Sequence, residues 1–194
     1  LPQTFARYLA SGVTGVVDVG GPFKNFEVRD LARHSALAPH VAVAGPVLAT
    51  IAPKQLASDD PAIVRIDSPD AARAEVRRQA ARKPDLIKIW FIRTRDENLD
   101  AELAWIRAAI AEAHALDLRV AVHATELETA RLAVMAGADV LVHSVESAPV
   151  DDAFLTLLRE RGVIYITTLG VYEGYWEVLG QHVRLTDIDA RAGD

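Results

Sequence analysis

A chain of 194 residues, 51% hydrophobic and 25% charged, is long enough for one sizeable core and shows none of the bias of disordered, collagen-like or disulfide-stapled sequences. The absence of cysteine excludes disulfides and thiolate metal sites, leaving histidine, carboxylate or a modified lysine as ligands, and it suits cytosol and periplasm alike. Lys and Arg total 21 against 27 Asp and Glu, a net charge of -6 that speaks against nucleic acid as a partner, and charges interrupt every apolar run well short of the roughly 18 to 20 residues of a membrane span.

The opening "LPQTFARYLASG" has neither a signal-peptide layout nor an initiator methionine, so a processed or incomplete chain is expected. Strand patterns then alternate with amphipathic stretches: "VTGVVDV" (13–19), "VAVAGPVL" (41–48), "LIKIWFI" (86–92), "RVAVH" (119–123), "DVLVH" (139–143) and "VIYITT" (163–168). Each is nearly continuous in apolar residues, as expected of parallel strands covered on both faces. The "VGGP" after the first strand reads as a plain turn, and residues 49–69 as a loop near the active face. Ser68 followed by Pro69 predicts the start of a helix that stops before Pro84. A second helix follows Asp100, with Leu103, Ile106, Ile110, Ala113 and Leu116 as its core stripe. Thr125 with Glu128 has capping-box spacing and Gly137 marks the helix end; Asp151 and Gly162 bracket the next helix. His34, His40 and His114 fall in or beside helical stretches.

Six consecutive βα units fit either an open doubly wound sheet or part of a (β/α)8 TIM barrel. No glycine-rich phosphate fingerprint follows a strand, and polar residues gather at strand ends, which favours the barrel. Lys88 lies inside "LIKIW", while His123 and His143 each end a strand. By strand alternation His123 shares a face with Ala121, and His143 with Leu141. A single strand-end histidine is more often a hydrogen-bonded structural residue than a ligand. Two in the same place, beside a lysine that burial would force to pair, lose its proton or be modified, point to a functional site.

The lysine in "LIKIW" and the histidines in "VHATE" and "VHSVE", on three successive strands, resemble the amidohydrolase superfamily, in its prolidase-like and imidazolonepropionase-like branch. "YLASGVTGVVDVGGP" and "SPDAARAEVRRQAARKPDLIKIW" are similar to the same branch. The resemblance implies barrel strands two to seven, with the first and last strands and a small β-sandwich outside these residues. It implies a Lys88 carboxylated by CO2 and bridging two divalent metals, with zinc expected, His123 and His143 on the second metal, and attack of a metal-bridging hydroxide on a C–N amide bond. Dipeptides, N-acyl amino acids and cyclic amides are the implied substrates. The family's first-strand His-x-His pair and strand-eight aspartate would lie before Leu1 and beyond Asp194, and neither Asp187 nor Asp189 is assigned the catalytic role.

Arg93 is a candidate for a substrate carboxylate, and Tyr172 and Tyr175 for flanking the substrate. Six strands alone would leave two sheet edges unpaired, so missing chain segments or a homo-oligomer are expected to complete the barrel. The rival readings are a Schiff-base aldolase or lyase using Lys88 as an amine, and a non-catalytic barrel fragment.

Overall fold

The computed structural model describes residues 2–52, 58–93 and 98–182. Helix α1 (Pro2–Ala10) leads into β1 (Gly15–Asp18), α2 (Asn25–Arg33), β2 (His40–Val43), β3 (Val47–Ala49) and β4 (Ile63–Arg65). Then follow α3 (Pro69–Ala80), β5 (Leu86–Trp90), α4 (Leu99–Ala115), β6 (Arg119–His123), α5 (Leu127–Ala136), β7 (Val140–Val142), α6 (Asp152–Arg161), β8 (Ile164–Ile166), α7 (Leu169–Gly174) and a π-helical turn, Tyr175–Leu179. The architecture is α/β with a parallel sheet. One sheet runs β4-β3-β5-β6-β7-β8, a second pairs β1 with β2, and the bridge from Ala44 to Leu86 joins them. Apart from β4, strand neighbours follow chain order.

That order sorts residues onto two faces. Ile87, Ile89, Val120, Val122 and Leu141 pack against the helices in the main core, joined by Val76, Ile106, Ile110 and Phe154. Burying each such Val, Leu or Ile contributes about 1.5–3 kcal/mol. The opposite face carries Ala44, Leu86, Ala121 and Val142. Of these, Leu86, Ala121 and Val142 line a cavity of about 470 Å³ together with Val17, Val19, Ile164 and Ile166. Strands β1 and β8 are therefore not covered on both faces: among the described residues each has one paired neighbour, and Val17 is 57% and Ile164 51% exposed.

The helix punctuation holds at four points. Ser68 Oγ accepts from Ala71 N with Pro69 at the first helical position, Asp151 accepts from Phe154 N, and Gly137 and Gly162 end α5 and α6 in the left-handed region. Four expectations are corrected. The Thr125–Glu128 capping box does not form: Ser147 Oγ takes the Leu127 N–H from a neighbouring loop, and Glu128 turns to Arg93. Helix α4 starts two residues earlier, capped by Asn98, and Leu116 closes it exposed rather than in the core stripe. His40 begins strand β2, where its N–H donates to Thr14 O. The presumed loop 49–69 contains β4, paired parallel to β3.

Candidate metal centre

In β5 the period of two puts Ile87 and Ile89 among the helices and Lys88 on the cavity side with Leu86. Lys88 is 2% exposed, and its Nζ has no hydrogen-bond partner among the described residues. Burial alone draws its pKa down to about 7, because an ammonium loses hydration there without gaining a counter-charge. The turn after β1 closes one side of its stem. A methyl group on Gly20 would stand 2.4 Å from Val47 Cγ2 and 3.6 Å from Lys88 Cγ, and Gly20 has φ +139°. Asp18 holds this turn, accepting from Gly20 N at 3.3 Å and from Asn25 Nδ2 at 2.7 Å. The "VGGP" stretch is thus more than a plain turn, since it is a wall against the lysine.

His123 stands opposite Trp90 in the β5–β6 register, one inward position beyond the Lys88–Ala121 pair. Its half-buried ring lies 6.2 Å from the Trp90 ring and 4.7 Å from that of His143, centroid to centroid. Burial, then the cationic forms of His143 and Lys88, push its pKa down to about 4, against a weaker opposing pull from the Glu146 carboxylate. His143 is lowered by burial first and by Lys88 next, again opposed by Glu146. The three groups thus sense one another across strands, and both imidazoles are held neutral, the form that ligates metal.

His143 reaches this cluster by a route that alternation does not give. Leu141 packs against the helices, so a regular strand would send His143 there too, and the expected shared face of the two residues is overturned. Just past β7 the backbone enters the left-handed region, with φ +79° at His143. Non-glycine residues are uncommon there, and the turn swings the ring to the cavity side, where it lines the wall with Thr168. Thr168, with φ +49°, places Oγ1 3.4 Å from His143 Nδ1.

The peripheral candidates are otherwise engaged. Arg93 Nη1 pairs with Glu128 Oε2 at 2.7 Å. The Tyr172 hydroxyl donates to Glu146, which raises its pKa, and Tyr175 is 59% exposed. Glu146 and Thr168 are the groups that the sequence reading missed. Glu146 stood three residues after His143 in "VHSVE", a spacing that its tie to both imidazoles would have explained. Among the described residues no three His, Cys, Asp or Glu side chains gather around one point, so the available donors are two imidazoles and Lys88. An orphaned amine that can shed its proton near neutrality, beside two neutral imidazoles, fits a cation site once that amine carries oxygen ligands.

No family model and no curated protein matches this sequence. Solved structures do. A Xaa-Pro dipeptidase with methionine bound in its active site superposes at a TM-score of 0.72 and 23% identity over 99% of this chain and 51% of its own. A prolidase complexed with N-methylphosphonate-L-proline gives 0.72 and 22% over 98% and 51%. The ochratoxinase of A. niger gives 0.73 and 19% over 99% and 49%. The fold is that of prolidases and amidohydrolases. These neighbours agree with the resemblance carried by "LIKIW", "VHATE" and "VHSVE". The chain spans about half the length of the prolidase-type structures that it matches.

Proposed function

We propose that this chain is the central part, strands two to seven, of a (β/α)8 barrel in the amidohydrolase superfamily, and that the complete protein hydrolyses C–N amide bonds with divalent metal. The observation that carries the reading is the meeting of Lys88, His123 and His143 on one face of three adjacent strands. Free-base Lys88 Nζ attacks the carbon of CO2, losing a proton and forming a carbamate whose oxygens are hard ligands. This removes the orphaned ammonium and supplies the anionic donors that the cluster lacks. Carboxylated Lys88 would bridge two cations, zinc being the expected metal, with His123 and His143 holding one of them. Bound there, such cations supply Lewis acidity, polarising an amide carbonyl and lowering the pKa of water. The further ligands and a catalytic carboxylate would come from segments outside these residues.

Dipeptides, N-acyl amino acids or cyclic amides are the proposed substrates, in line with neighbours named as prolidases and Xaa-Pro dipeptidase. Tyr172 and Tyr175 would flank the substrate beyond β8, and Arg93 would meet its carboxylate only by leaving Glu128. Metal analysis of the full-length protein, a carboxylate mass increment on Lys88 and turnover of Xaa-Pro dipeptides test the reading together. Protein without bound metal, or with metal that survives both His123→Ala and His143→Ala, would sink it. One observation favours a second reading: an amine with a pKa near 7 is itself a nucleophile, as a Schiff-base aldolase requires. Borohydride trapping of substrate on Lys88 would decide for the aldolase.

A further inference from the structure

We infer that Thr168 is a positioning residue that fixes the tautomer of His143, its hydroxyl oxygen accepting the Nδ1–H so that the Nε2 lone pair is left for a cation. The inference rests on the proposed role of His143 as a ligand. Three contacts draw the ends of β7 and β8 together: His143 N donates to Ile166 O at 2.8 Å, Ser144 Oγ to Thr167 O, and Val145 N to the Tyr165 hydroxyl at 2.7 Å. Both residues of the resulting pair sit at positive φ, and Thr168 is β-branched, for which this conformation is a genuine outlier. Such strain persists where surrounding contacts over-determine it, and it collects at functional sites. What these contacts produce is the 3.4 Å approach of Thr168 Oγ1 to Nδ1.

The direction of that hydrogen bond follows from the other nitrogen. Nδ1 makes the only hydrogen bond of the His143 ring among the described residues. A proton on Nε2 would be a donor without a protein acceptor, in a half-buried place beside Lys88, whereas a bare Nε2 is a lone pair ready for a metal. Ligating histidines commonly donate their second N–H in this way, and losing such a partner costs about 10- to 100-fold in metal affinity.

Long-range ¹H–¹⁵N NMR of the metal-free, full-length protein labelled with ¹⁵N-histidine reads the tautomer, the His143 signals being those lost in His143→Ala. We expect Nδ1–H in the wild type and in Thr168→Ser, and a move toward Nε2–H in Thr168→Val. Zn²⁺ affinity, measured by competition with a chromophoric chelator, should fall about 10- to 100-fold in Thr168→Val and stay near wild type in Thr168→Ser. Dominant Nε2–H in the wild type, or an affinity loss in Thr168→Val without a change of tautomer, overturns the positioning role and leaves the metal reading intact. Zn²⁺ affinity unchanged in His143→Ala, with the tautomer still responding to Thr168→Val, overturns the ligand assignment and leaves the hydrogen bond standing.

Discussion

The two halves of the cluster are built by different means. On β5 and β6, Lys88 and His123 sit in regular strands whose partners run in strict register, Lys88 with Ala121 and Trp90 with His123. Past β7 and β8, His143 and Thr168 leave the strand conformation for the left-handed region, and cross-strand hydrogen bonds hold them there. Local periodicity places the first pair. The second pair is placed by tertiary contacts, and its strain has to be offset by the rest of the fold.

The largest effect should come from the regular half. Lys88→Met removes a buried, unpartnered amine, so metal content measured by elemental analysis should drop to background. The metal-free variant should gain on the order of 3–5 kcal/mol over uncarboxylated wild type near pH 7 in urea denaturation. The pH profile of that wild type sharpens the point. Burial pushes the Lys88 pKa down to about 7 in the fold, against an ordinary lysine's 10.5, so between those values the unfolded chain binds more protons. Stability should rise with pH across that window, by up to about 1.4 kcal/mol per unit. Below about pH 7 the destabilisation is complete and the curve flattens. A flat wild-type profile from pH 7 to 10 would show that the amine has found a partner.

Next come the imidazoles. His123→Ala and His143→Ala should each weaken Zn²⁺ binding by more than about a hundredfold, exceeding the loss of a ligand's supporting partner. Glycine separates the two more finely. At position 143 glycine should be more stable than alanine by roughly 1 kcal/mol, since it relieves a left-handed backbone. At position 123, in a strand, glycine should be less stable than alanine by roughly 0.5–1 kcal/mol. Equal signs at both sites in chemical denaturation would erase the contrast. The smallest effect belongs to Arg93→Ala: loss of the exposed pair with Glu128 should cost under about 1 kcal/mol, while a rise in KM for carboxylate-bearing substrates would give Arg93 a second role.

This contrast also marks how far the sequence was legible. All six strand patterns lie over observed strands, with Arg119–His123 matched end to end, because parallel strands packed under helices need unbroken apolar runs. The break of 41–48 into β2 and β3 came from Gly45 and Pro46, whose carbonyl takes the buried Gln79 amide. Lys88 stood out as a lysine inside an apolar strand, and the face of His123 followed from period-two alternation. His143 was picked for its place at a strand end, but the direction of its ring was not readable, since it depends on a left-handed residue fixed by contacts 23 residues away. The capping box failed for a related reason: Ser147 and Arg93, both remote in sequence, took the Leu127 N–H and the Glu128 carboxylate at the helix start.

The wall beside Lys88 has an evolutionary consequence. A codon at position 20 has almost no neutral neighbours, because even one added carbon collides with Val47 and every L-amino acid resists that backbone angle. In a saturation library screened for folded protein, glycine should dominate the survivors at position 20, and any alanine lineage should carry a smaller residue at position 47.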